Sequence, residues 1–391
     1  LWRPGQPPRI LREQKSMVRI SLFALAAWSV MACEPLATSW VGEENFPIDR
    51  AETIEVGEEN PQRLKVMTWN VKFGGARINF YWDYWGDRVH MTSAEVQANM
   101  DEVNALIRQT EVDILLAQEV DRNSKRAAYL DQVQYILDHT QMNYAAFVPV
   151  WKVRFLASEG YGRVESGIVV FSRYPIESNT RIALPDRGDQ DAITRYFYLH
   201  RALNEAVINL GDTKITVLNV HLVAYANDGG ITKGLQLEQT HTRAKAATHP
   251  MLVGGDFNSL PPQTERIADF GDDGPFMPEE TDFDGDTYDL AEMDLFYNDP
   301  DLQPALQLDD YGQTEVDQRQ HYTHTVADPL QAPDSFWNRK LDYLFVDSGS
   351  IVAGSTHTLQ KPGDGNPPLP DQLDPMLLSD HCPVVTTWEL P

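Results

Sequence analysis

The sequence predicts an α/β domain that begins at Leu64 and runs to the C-terminus, and three observations carry that prediction. Short β-branched runs alternate with helical patterns over the whole stretch. Apolar residues make up 42% of the 391-residue chain, enough for a sizeable core and too many for a wholly disordered chain. No repeat of 20–50 residues suggests a solenoid or propeller instead.

The elements are expected in this order. LKVMTWNV, Leu64–Val71, reads as the first strand. Ala94–Thr110 follows as an amphipathic helix, because Val96, Met100, Val103, Leu106 and Ile107 fall on one stripe. VDILLAQE, Val112–Glu119, is a short apolar run of strand length, and Ala127–Thr140 is a second helix. Tyr144–Val150, Gly167–Ser172, Ala206–Leu210 and Lys214–His221 are further strands rich in β-branched residues. A third helix is expected over Ile231–Thr248, then strands at Met251–Phe257, Leu341–Val346 and Pro383–Leu390.

The segment before this domain reads differently. Leu1–Lys15 is Pro- and Arg-rich, and the first methionine is Met17. MVRISLFALAAWSVMAC then combines one Arg19, an apolar run from Ile20 to Ala32, and Cys33, which is the layout of a secretory signal too short to span a bilayer. Val30-Met31-Ala32-Cys33 resembles a bacterial lipobox, in which the cysteine is acylated and becomes the first residue. The expectation is therefore a leader over residues 1–33, translated from Met17, and a membrane-anchored lipoprotein, with plain secretion or a periplasmic location as the alternative. Residues 34–63, rich in Pro, Glu and Asn, are expected to form a flexible tether to a catalytic domain at 64–391.

Charge and cysteine content exclude several function classes. With 32 Lys+Arg against 58 Asp+Glu the formal net charge is −26. A broad basic surface for holding nucleic acid is thus not expected, since Lys and Arg supply most of that affinity. Two cysteines permit neither a disulfide scaffold nor a Cys-ligated zinc module.

The most informative feature is what ends each strand. VMTWN stops on Asn70, ILLAQE on Glu119, TVLNVH on His221, and LVGGDFN on Asp256 and Asn258. LDYLFVD carries Asp342 near its start, and LLSDHCPVV begins with Asp380 and His381. One polar residue at a sheet rim is an ordinary satisfied group. Six segments ending this way point to a shared cleft.

In their order, TWNV, LLAQEV, ESGIVVFSRYP, LNVHL, GGDFNS, LDYLFV and SDHCPV resemble the endonuclease/exonuclease/phosphatase superfamily of metal-dependent phosphoesterases. These include pancreatic-type deoxyribonucleases, AP endonucleases and neutral sphingomyelinases. The resemblance covers about Leu64 to Leu390. It implies a four-layer α/β/β/α sandwich of two packed, mostly antiparallel mixed sheets flanked by helices, with the site at one edge. It also implies Mg²⁺, or Mn²⁺ in its place, held by Glu119, with Asn70 and Asp380 completing or orienting that shell. Asp256 then fits as the base for an attacking water, and Asn258 as a group holding that water or a phosphate oxygen from the same strand face. His381 would contact the phosphate with Asp342 orienting it, and His221 would bind a phosphoryl oxygen or protonate the leaving group. Glu165 matches an acid beside that histidine in the deoxyribonuclease branch, and Arg201 a phosphate-contacting arginine. Which histidine donates, and whether Asp256 or His381 is the base, stay open at this level.

Other features read more plainly. Between Glu265 and Asp317 there are 18 acids and one base, Arg266, which suggests a solvated acidic insertion. DFDGDTYD within it, Asp282–Asp289, fails the EF-hand spacing at Thr287 and Met293, so a Ca²⁺ site is the weaker reading. NFYWDYWGDR, Asn79–Arg88, could stack a base or sugar or meet a lipid surface, or pack on its own domain. Cys382 reads as a buried inert thiol, and His321 and His324 as surface or packing residues.

The function expected is an exported Mg²⁺-dependent phosphodiesterase acting on a phosphoester by in-line attack of an activated water. A nuclease or a phospholipid head-group hydrolase is the alternative substrate class. The competing class, an inactive binding lipoprotein, should have lost the polar set, which is complete here. No protein partner is implied.

Overall fold

Side-chain alternation along the strands decides the layers. In the strand Arg63–Asn70, Val66 belongs to one apolar cluster and Met67 to another on the opposite face. Leu115 and Leu116 divide the same way, as do Val217 and Leu218, and Leu252 and Val253. A strand that buries both faces must lie between two layers. The computed structural model describes residues 35–391 apart from 56, 82–85, 269, 271–286 and 331–334. The expected leader with Cys33, residues 82–85 of the aromatic run and most of DFDGDTYD lie outside the described residues.

The strands are β1 (Ala37–Thr38), β2 (Glu43–Asn45), β3 (Ile48–Arg50), β4 (Arg63–Asn70), β5 (Ile114–Asp121), β6 (Tyr144–Leu156), β7 (Gly162–Ser172) and β8 (Ile176–Ala183). They continue with β9 (Ala202–Asn209), β10 (Lys214–His221), β11 (Met251–Asp256), β12 (Gln303–Pro304), β13 (Asp342–Val346), β14 (Ser350–Ile351), β15 (His357–Thr358) and β16 (Val384–Glu389). One sheet runs β1-β6-β7-β5-β4-β16-β14, with β15 on β16 and β3 on β6; the other runs β12-β13-β11-β10-β9-β8-β2. Only β4–β5 and β10–β11 are parallel pairs among the described residues.

The inner faces of the two sheets meet through Val66, Ile114, Leu116, Val170, Ala206 and Val217, among others. Two buried amides fasten them. Gln118 Nε2 donates to Asn219 Oδ1 at 2.8 Å, and Asn219 Nδ2 donates back to the carbonyls of Ala117 and Val169, both at 2.9 Å. The helix Ser93–Thr110 covers the outer face of the first sheet with the expected stripe and starts at a capping box between Thr92 and Glu95. The helix Ile231–Lys245 covers the second sheet through Leu237 and Ala244. The four-layer sandwich expected from the sequence is the observed architecture.

Three expectations need correction, and one long strand was not expected. Residues 34–63 are not a free tether: β1 and β3 pair with β6, and β2 pairs with β8, so this segment edges both sheets. Its composition hid strands of two or three residues, too short for a period to show. The helix expected over 127–140 is a turn at Lys125–Ala127 and a helix Gln132–His139, separated by left-handed Ala128 and Tyr129. β8 was not anticipated. The acidic stretch is also not all solvated, because Met293, Phe296, Leu302 and Tyr311 are buried and β12 pairs with β13. Phe80 of the aromatic run packs edge-on against Phe73 in the core, with ring centroids 4.9 Å apart. Among the described residues no helix is long and apolar enough to cross a membrane.

Candidate active site

Strand register gathers the polar termini at one sheet edge. The parallel pair β4–β5 sets Asn70 against Gln118, with Glu119 next along. The parallel pair β10–β11 sets His221 against Asp256, and antiparallel β13 sets Asp342 against the same Asp256. Asp380 and His381 arrive on the turn before β16. Ser379 Oγ donates to the Asn70 carbonyl at 2.8 Å, and Trp69 Nε1 donates to the His381 carbonyl at 2.9 Å, so β4 anchors that turn.

Two backbone features aim the side chains. Pairing between β5 and β7 shifts register between Ala117 and Val120, and Glu119 sits in that bulge at φ 55°. A bulge takes one residue out of the strand's alternation and re-aims it, here to the site edge. Gly255, at φ 137°, lets β10 approach closely: a Cβ there would meet the Val220 carbonyl oxygen at 2.0 Å.

Asp256 is the hub. Asn70 Nδ2 donates to Glu119 Oε1 at 3.0 Å and to Asp256 Oδ2 at 3.2 Å. The same Oδ2 lies 3.4 Å from His221 Nε2 and 3.6 Å from His381 Nε2. On its other side His381 shares Nδ1 with Asp342 Oδ2 at 2.9 Å. The Asn258 amide donates to Asp256 Oδ1 at 3.0 Å.

Burial and neighbouring charge separate the roles of these groups. Burial, with the Asp342 carboxylate nearby, raises the Asp256 carboxyl to about 7, although His381 and the Asn70 hydrogen bond pull against it. For His381 burial works downward, yet the flanking Asp342 and Asp256 win and raise the imidazolium to about 10. His221 goes the other way: burial, then the positive charges of Arg201 and His381, hold it well below its ordinary value. The two histidines therefore differ at neutral pH, His381 charged and His221 neutral.

Most of the expected residues meet here, with two exceptions. Glu165 is not the acid beside His221: Lys152 donates to it at 2.7 Å and Arg163 at 3.0 Å, and the carboxylate next to His221 is Asp256. Asn258 does not share a strand face with Asp256, because β11 ends at Asp256 and Asn258 turns left-handed at φ 52°. Its Nδ2 donates to the Leu222 carbonyl at 3.1 Å. Arg201 stands near enough to feel Glu119 and Asp256, with its Nε buried and unpartnered among the described residues.

Two further residues were not anticipated. Lys233 is buried and donates from Nζ to the Asn258 carbonyl at 2.5 Å, holding that left-handed turn while facing Asp256 and Glu292. Its signal was a lysine in register with buried Gln236, Leu237 and Thr240 on one helix stripe. His324 stands edge-on to His381 with ring centroids 4.6 Å apart, its Nδ1 buried without a partner among the described residues. Only the tertiary bridge between His324 and His381 brings it in.

The donor set suits a hard divalent cation. Glu119, Asp256, Asp342 and Asp380 bring four carboxylates to one edge, and Mg²⁺ prefers such oxygen donors. The Asn70 amide turns its nitrogen to two of these carboxylates and its Oδ1 to the Lys72 amide at 3.1 Å. Asp256, Asp342 and His381 also lie close enough to share an ion. Within that trio the 2.9 Å bond to His381 Nδ1 already engages the Asp342 carboxylate.

A sandwich of paired sheets with a carboxylate–histidine cluster at one edge defines the class of protein. The chain belongs to the endonuclease/exonuclease/phosphatase family, whose sequence profile matches residues 67–381. Members of that family are usually hydrolases of phosphoester bonds. Similar solved structures include an endonuclease/exonuclease/phosphatase from Beutenbergia cavernae, at 18% identity and TM-score 0.50, covering 84% of this chain and 72% of that one. Another, from Bacteroides vulgatus, gives 16% and 0.49 over 85% of this chain and all of that one (100%). Truncated Caenorhabditis elegans TDP2 gives 14% and 0.45 over 84% and 97%. At 18% identity the likeness to the Beutenbergia cavernae structure shows the fold alone. No curated protein matches the chain.

Proposed function

We propose that the protein is an exported Mg²⁺-dependent phosphodiesterase. One observation carries the reading: Asp256 Oδ2 is approached by Asn70, His221 and His381 at 3.2, 3.4 and 3.6 Å, with Asp342 behind His381. A carboxylate raised toward neutrality accepts a proton well near neutral pH, so Asp256 takes it from the attacking water. His381 keeps its own proton and offers Nε2–H to a phosphoryl oxygen, which disfavours it as the base. Neutral His221 serves as a hydrogen-bond partner to phosphate more readily than as a proton source. Glu119 and Asp380 would hold Mg²⁺ or Mn²⁺, which when bound neutralises charge on the phosphate.

A net charge of −26 weighs against a nuclease that grips a long polyanion. The signal-like segment ending at Cys33 supports export and lipid anchoring. The test is hydrolysis of bis-p-nitrophenyl phosphate. Turnover should require Mg²⁺ or Mn²⁺, stop with EDTA, and drop on the order of 100-fold or more in Glu119→Gln. Turnover unaffected by EDTA and by that substitution would sink the reading.

A further inference from the structure

Beside the catalytic cluster lies a cleft lined by Arg187, Tyr198, Leu199, Arg201, Val223 and Tyr225. Arg201, one of its lining residues, stands near Glu119 and Asp256 of that cluster. Together with the open solvent at its mouth it encloses about 400 Å³.

Its two cations are not equivalent. Arg187 reaches Asp189 through two hydrogen bonds of 3.0 and 2.6 Å, so its charge is balanced. Its guanidinium lies 5.5 Å from the Tyr225 ring centroid and 5.9 Å from that of Tyr198, tying both rings into the wall. Arg201 makes no such ion pair among the described residues, although Glu119 and Asp256 stand near it, and its Nε is buried without a partner there. A guanidinium without a direct carboxylate partner among the described residues, lining a cleft with aromatic and aliphatic walls, suits an anion that carries an apolar body. Asp186 lines the same cleft and would repel a second anion.

We propose that this cleft is a subsite for one ester arm of the substrate, a compact aryl or short alkyl group on the phosphate held at Arg201. The identity of that anion rests on the phosphodiesterase reading above. The arm is not a second phosphate, because the other arginine lining the cleft, Arg187, is already paired with Asp189.

Phenylphosphonate and methylphosphonate differ only in this arm, and calorimetry on the full chain with Mg²⁺ reads their affinities directly. Phenylphosphonate should bind about tenfold tighter. Ala224→Trp, at the exposed mouth, should bring the ratio below about twofold, and Tyr225→Ala, which removes a wall, should also lower it. The second variant keeps the test valid if the first does not fold. Equal affinities in the unmodified chain, no binding of either phosphonate, or a preference that survives both variants would overturn the subsite. A clear preference without hydrolysis of any phosphodiester would support the subsite and remove the catalytic reading alone; hydrolysis without preference would do the reverse.

Discussion

At the scale of single residues, Asp256 sets function against stability. Its folded value of about 7 exceeds the ordinary 3.8, so the native state holds this proton more tightly than the unfolded chain. The associated stability is complete below about 4 and is lost as pH rises through 7. Neutralising the group removes that penalty. Asp256→Asn should therefore be nearly inactive yet more stable than the unmodified chain at pH 8, by on the order of 2 kcal/mol, with the gain disappearing by pH 4. Melting curves of both proteins between pH 4 and 8, without metal, check this. An equal offset at every pH would mean that charge burial at Asp256 costs little.

At the scale of elements, site geometry depends on how closely β10 and β11 approach. Gly255 has no room for a methyl group: it would lie 2.0 Å from the Val220 carbonyl oxygen, in a backbone region that side chains rarely adopt. Gly255→Ala should cost at least ~2 kcal/mol in denaturant unfolding, and it should slow turnover even where the protein is folded, because His221 and Asp256 are paired through that register. Unchanged stability would show that the strands can part without penalty. This is also where the limits of sequence reading are plainest. The strand ends were legible because Asn70, Glu119, His221 and Asp256 interrupt apolar runs. The bulge at Glu119 and the turn at Asn258 were not, since a positive φ on a non-glycine residue leaves no mark in composition. The two-residue period was extended one step too far for the same reason. His324 reads from sequence as no more than a surface or packing residue because its partner His381 is distant in sequence and is met only through the fold.

At the scale of the whole molecule, the two sheets are one unit, joined by an apolar interior and by the Gln118–Asn219 exchange. The sequence conveyed this architecture through its ordered strand endings but not the participation of residues 37–50, whose strands are too short to pattern. The proposed export makes a prediction at this scale: mass spectrometry of the mature protein from a bacterial host should find an acylated Cys33 at its N-terminus, and Cys33→Ser should release the protein. An unmodified Cys33 within a longer peptide would remove the anchor. The strands β1, on one sheet, and β2, on the other, give this a mechanical side. Ala37 is four residues past Cys33, and an extended chain of that length reaches only about 14 Å. A lipid at Cys33 would thus leave almost no leash: the domain would ride against the bilayer as a docked body, its swing limited, and its working radius would be that of the membrane surface rather than of the surrounding fluid.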